Sequence, residues 1–186
     1  MVALLLTLAA AFGLSVVAGA TGAGAAGFVI STTLLGFGLA PFVGDSLQQL
    51  LPCSVWGRFS LSARTARGLG VDHFNAFLTR VGWNRQVVAM RGAGAGNRRD
   101  PRHMQAAAAG HAWALALHVV AAAWAALAGG WSAVAVLLAV GVVGHLYPVL
   151  LQIRVLTRLR EGHKTELAPF RRARPVKRQV AQNREP

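Results

Sequence analysis

The sequence predicts an all-α integral membrane protein of four transmembrane helices, with a cytoplasmic amphipathic and loop segment and a basic tail. Two observations carry that prediction. Residues 1–44 contain no Asp, Glu, Lys or Arg, the first charge being Asp45, and a second uncharged run extends from His103 to Ile153. All 19 basic residues lie outside these runs, in one group from Arg58 to Arg102 and another from Arg154 to Arg184. A soluble helix keeps a polar face toward water and does not leave so long a run uncharged. A segment in hydrocarbon does, because a charge at the centre of a spanning helix costs about 2.5–3.5 kcal/mol on insertion scales.

A span takes about 20 residues. The first run has room for two, near 2–19 and 27–44, joined by the flexible stretch from Gly19 to Gly27. One helix followed by an interfacial stretch also fits, so one or two helices in 1–44 stay open. No Lys or Arg precedes this apolar stretch, which therefore lacks the charged start of a cleaved leader. The second run divides at Gly129-Gly130 into helices near 106–128 and 131–151. The chain thus divides into an N-terminal membrane hairpin (1–44), a basic cytoplasmic segment (45–105), a C-terminal transmembrane hairpin (106–151) and a basic cytoplasmic tail (152–186).

Within 45–105, Phe74, Phe77, Leu78, Val81 and Trp83 recur at near-helical spacing with Arg80 and Arg85 among them, the pattern of an amphipathic helix lying on the membrane surface. The glycine-rich basic loop from Arg91 to Pro101 matches no P-loop or dinucleotide fingerprint. From Gly162 onward the tail has few apolar residues, and disorder or surface association is expected there.

The net charge of +13 raises the question of nucleic acid. Its distribution answers it: the basic residues flank membrane helices, as the positive-inside rule requires. The expected location is the cell membrane, multi-pass, with basic segments and both termini cytoplasmic. Attraction to anionic lipid head groups accounts for Arg171-Arg172-Ala173-Arg174 and Lys177-Arg178, and no nucleic-acid partner is expected. The single Cys53 excludes an internal disulfide. Faces rich in Ala and Gly, such as 106–130, permit close packing within one chain or in a homo- or hetero-oligomer.

Three histidines lie in the apolar helices: His111, His118 and His145. His111 and His118 are one heptad apart and share a helix face. Counted from the basic ends of their helices, His111 and His145 lie at similar depth, on the order of 10–12 Å in, so an antiparallel hairpin brings them together. His118 is deeper. Tyr147, Pro148 and Gln152 come soon after His145, and Pro148 releases a backbone carbonyl in its own helix. No acidic residue lies in any expected span, which disfavours a cation or proton path built on carboxylates. No HExxH, CxxC or GxSxG motif occurs, and no metal site is expected. Three uses of the histidines remain: interhelical hydrogen bonding alone, general base catalysis on a hydroxyl, or haem ligation by His111 and His145.

Between about Phe77 and Arg158 come Arg80-Val81-Gly82-Trp83-Asn84-Arg85, then Arg102-His103-Met104 with His111 after it, then Leu146-Tyr147-Pro148-Val149-Leu150-Leu151-Gln152. In these pieces and their order the stretch resembles the glycosyl-4,4'-diaponeurosporenoate acyltransferase family, small membrane proteins that esterify the sugar of a glycosylated carotenoid. The resemblance implies a fatty acyl transfer to a sugar hydroxyl of a glycosylated carotenoid or related isoprenoid lipid. It also implies acyl-CoA as a co-substrate and no resident cofactor. His111 and His145 would be catalytic, and Trp83, Arg85, Arg102, His103, Tyr147 and Gln152 substrate-binding. Arg91, Arg98 and Arg99 would join Arg85 and Arg102 in holding the donor's phosphates. The departures are specific. Ala108 stands where the family has the Glu of a Glu-x-x-His pair, His145 where it has Asn, and Ile153 where it has Arg, with Arg154 one position later. His145 is a candidate substitute for the missing acid. A non-catalytic membrane subunit or a lipid-binding relative is the alternative these departures favour.

Overall fold

The computed structural model describes residues 1–50, 55, 58–83, 85 and 101–172, with side chains to Gly162. The described chain is helical throughout its ordered elements and contains no strand. Helix α1 spans Val2–Thr21 and α2 spans Ala26–Leu50. Two short helices come next, α3 (Ala63–Gly68) and α4 (Val71–Arg80). Beyond them are α5 (Pro101–Leu127), α6 (Trp131–Gly141), a π turn (Val142–Leu146) and α7 (Tyr147–Arg172). Four helical segments are long and apolar enough to cross a membrane: Val2–Thr21, Ala26–Leu50, Pro101–Leu127 and Trp131–Gly162.

The uncharged N-terminal run therefore makes two helices, turning at Gly22, whose φ of 84° suits a residue without Cβ. Helical boundaries exceed the hydropathic ones. α2 continues past Asp45 to Leu50, and α5 begins at Pro101, with proline at the first helical position where its missing N–H leaves no bond unmade. The last helix runs through Gly162 to Arg172, where the sequence suggested disorder or surface association. Glu, Lys, Leu and Ala are good helix formers, so that stretch extends an existing helix without needing an apolar face. Residues 91–100 of the glycine-rich loop, with Arg91, Arg98 and Arg99, lie outside the described residues, as do Cys53 and the tail beyond Arg172.

The principal seam is between α2 and α5. Its residues are small: Ala40 and Gly44 from α2 meet Ala106 and Gly110 from α5, and Gly36 faces His118. The backbones touch. A Cβ added to Gly110 would collide with the carbonyl oxygen of Ala40, and one added to Gly44 would collide with the carbonyl oxygen of Ala106. Contact this close is how helices hold together in lipid, where association comes from van der Waals packing and not from exclusion of water. Away from the basic ends, the seam is closed by Leu14, Phe28, Ala121, Ala122, Ala125, Ala133 and Leu137, with Phe28 edge-on to Trp124 at 5.8 Å.

α1 flanks this core and contributes Leu14 to it. It buries only Ala3, Ala10 and Leu14 and exposes Leu4, Leu5, Leu8, Phe12 and Val16, a surface suited to acyl chains. One polar contact ties it inward: the Trp113 indole N–H donates to the Thr7 hydroxyl at 3.0 Å.

The amphipathic segment is clamped to α7. The guanidinium of Arg154, buried to 7% exposure, donates to the carbonyl of Leu61 at 3.1 Å. The Leu61 N–H donates to the Thr157 hydroxyl at 3.1 Å, and Arg160 donates to the carbonyl of Phe59 at 3.1 Å. The Ser62 hydroxyl then caps α3 by accepting the Thr65 N–H. Leu61, Ala66 and Val71 pack against Tyr147, Leu150, Leu151 and Ile153, which sets α4 beside the start of α7.

Candidate functional site

The site begins with Pro148. Proline has no N–H to give and its ring clashes with the carbonyl four residues earlier, here that of Gly144. The helix responds by widening: the Tyr147 N–H bonds to the carbonyl of Val142, five residues back. An extra residue in a turn rotates the remainder of the helix by about 100° relative to a continuous α-helix. His145 lies inside this π turn and is completely buried.

Its surroundings are three rings. His111 Nδ1 and His145 Nδ1 are hydrogen-bonded at 3.1 Å. The His118 ring lies with its centroid 4.8 Å from that of His145, and Phe37 of α2 covers His145 at 4.5 Å. His118 is also completely buried, and its Nδ1 is bonded to the carbonyl of Ala114 at 2.9 Å. Among the described residues, the buried Nε2 atoms of His118 and His145 have no hydrogen-bond partner.

His111 borders a cavity of about 560 Å³, within the range of sites for small organic ligands. α4 contributes Phe74, Asn75, Phe77 and Leu78, α5 contributes Met104 and Ala107, and the π turn and α7 contribute Val143, Gly144, Pro148, Leu151, Gln152 and Val155. Phe37 and Trp83 complete the wall. The lining is apolar except for Asn75, His111 and Gln152. Phe77, Trp83 and Val143 are at least half exposed, so the cavity opens on the flank of the bundle.

Of the residues singled out in the sequence, the structure brings together His111 and His145, and places Trp83 and Gln152 on the cavity wall. Tyr147 stacks on Phe74 at 5.0 Å, behind the wall. Arg85, Arg102 and His103 are exposed and outside the lining, although His103 directly precedes Met104. Ala108 is completely buried with Ala109 against Leu47 of α2. The sequence alone does not join His118 to the pair, nor assign Phe37, Phe74 or Asn75 to the site. The heptad spacing of His111 and His118 was the available signal for the first. The Gly36, Ala40, Gly44 pattern was the signal for the helix that carries Phe37.

Chemically, the arrangement offers one imidazole at the edge of an apolar cavity, held by a second and backed by a third. His111 and His145 meet directly through their Nδ1 atoms at 3.1 Å. Among the described residues, no group of three or more His, Cys, Asp or Glu is arranged to hold a metal ion. No protein-family model, curated protein or solved structure matches the chain.

Proposed function

We propose that the chain is an acyltransferase-like membrane protein, moving a fatty acyl group from acyl-CoA to a sugar hydroxyl of a glycosylated carotenoid or related lipid. The observation that carries this reading is His111 on the wall of a flank-opening apolar cavity, with its Nδ1 held by His145. That bond leaves Nε2 of His111 to meet a hydroxyl group. Lipid-like acceptors suit the compartment: their chains can lie along Phe74, Phe77 and Leu78 while Asn75 and Gln152 meet a polar head.

In the proposed reaction His111 Nε2 takes the proton of the sugar hydroxyl as its oxygen attacks the thioester carbonyl. The new C–O bond forms, the C–S bond breaks, and the proton passes to the departing thiolate. His145 orients the base, in place of the acid that Ala108 replaces. The exposed Arg85 and Arg102, with Arg91, Arg98 and Arg99, are the groups proposed to bind the donor's phosphates. The positive-inside rule puts these arginines and both termini in the cytoplasm, where acyl-CoA is found.

Ester formation in membranes containing the protein tests the reading. Labelled acyl-CoA is supplied with a glucosylated carotenoid or a small panel of glycolipids, alongside the His111→Ala variant. A new ester that disappears in the variant is the expected result, whereas full activity in the variant removes His111 as the base.

The second reading is a non-catalytic, lipid-binding membrane subunit. Ala108 favours it, because that position faces Leu47 and supplies no partner to His111. No ester from any acceptor, with carotenoid or glycolipid retained on the purified protein, would select this reading.

A further inference from the structure

We infer that His118 is a positioning residue, which fixes where the proton sits on each of the other two imidazoles and so turns the lone pair of His111 Nε2 toward the cavity. The inference rests on the proposed role of His111 for its catalytic meaning, but its test does not.

The sequence of bonds starts at a backbone carbonyl. Ala114 O can only accept, so Nδ1 of His118, 2.9 Å away, carries the hydrogen. With one proton per ring, Nε2 of His118 then holds a lone pair. That atom is buried and has no partner among the described residues, and the same holds for Nε2 of His145. The two rings border the same spot on α2: a Cβ on Gly36 would stand 2.7 Å from His118 Cε1 and 3.4 Å from His145 Nε2. Their centroids are 4.8 Å apart, closer than the 5.4 Å between His111 and His145, which are hydrogen-bonded. A turn of either ring that brings the two Nε2 atoms together would satisfy both with one N–H···N bond.

The direction of each bond is then fixed. His145 donates through Nε2 to His118, so its Nδ1 holds a lone pair and accepts the Nδ1–H of His111. Nε2 of His111 is left unprotonated, as a base must be. In the reverse arrangement two lone pairs would meet beside Gly36, and His111 would present an N–H to the hydroxyl it has to deprotonate. A carbonyl on α5 thus orients the whole series through His118.

Nitrogen-15 NMR of the full chain in bilayers, labelled at histidine, reads these protons without substrate. Single-histidine variants assign the six histidines. The expected pattern is Nδ1–H on His111 and His118 and Nε2–H on His145. His118→Gln retains an acceptor and should preserve Nδ1–H on His111. His118→Leu should move His111 to the Nε2–H form and lower kcat about tenfold or more, with KM little changed. His111 as Nε2–H in the unaltered chain would overturn the inference. So would metal-shifted resonances from His111 and His145, or an unmoved His111 in a His118→Leu variant of native helicity. Should that variant fail to fold, the unaltered chain and His118→Gln still decide. A chain with the expected protons and no ester formation would leave the inference standing and the acyl transfer refuted.

Discussion

The two halves of the seam between α2 and α5 are built alike and end differently. Toward Gly24 and Gly130 the seam is sealed by hydrocarbon, with Phe28 and Leu137 completely buried among alanines. Toward the basic ends it carries His118, His145 and His111 and opens into a cavity. Small residues bring the backbones close in both halves, so backbone spacing does not distinguish them. The difference lies in the third wall. Where α6 is regular it presents Leu137; where Pro148 widens the turn it presents His145. Pro148 thus marks where the regular wall ends and the wall that presents His145 begins.

The comparison can be broken most severely at what the halves share. Gly110→Leu should prevent assembly altogether, because even a Cβ there collides with Ala40; a monodisperse variant with native melting would show that the seam does not pass through Gly110. Next in size, His111→Ala should lower ester formation by about 10²–10⁴-fold, the usual contribution of a general base, with helicity unchanged by circular dichroism. In the sealed half, Leu137→Ala should cost about 2–4 kcal/mol in unfolding measurements while leaving turnover per folded molecule intact. Lost turnover at full stability would make that half part of the site. Pro148→Ala tests the wall itself. Restoring a regular turn should swing His145 off His111 and reduce turnover about tenfold, less than loss of the base, because a misplaced ring still lies nearby. The smallest effect belongs outside the seam: Trp113→Phe removes the bond to Thr7, and thermal unfolding should register about 0.6 kcal/mol, typical of a hydrogen bond between membrane helices.

Much of this architecture was legible before the structure. Uncharged runs located four spans because hydrocarbon excludes charge at every position of a helix, a one-dimensional signal. The spacing of Phe74, Phe77 and Leu78 revealed α4, and equal depth in a hairpin brought His111 to His145. Depth comes from counting residues, but facing depends on rotation about each helix axis. That rotation is set by Gly36, Gly44 and Gly110 and by the extra residue of the π turn, neither of which hydropathy registers. Hence His118 and Phe37 went unnoticed as neighbours of His145. The clamp from Arg154 to Leu61 was hidden for another reason. A cation just past the end of an apolar run reads as an interfacial charge, and nothing in the sequence names a carbonyl as its partner.

The clamp has a consequence for biosynthesis. Leu61 and Thr157 are 96 positions apart in the chain, and Arg154 and Leu61 are 93 apart. A nascent chain emerges from its N-terminus, so α4 is made long before the helix that fixes it. Until α7 has been inserted, Phe74 and Phe77 have only the lipid surface to rest on, and the cavity between α4 and α7 does not exist. A chain that ended before Tyr147 would lack the α7 wall of this cavity, so the cavity forms only once the last helix is in place.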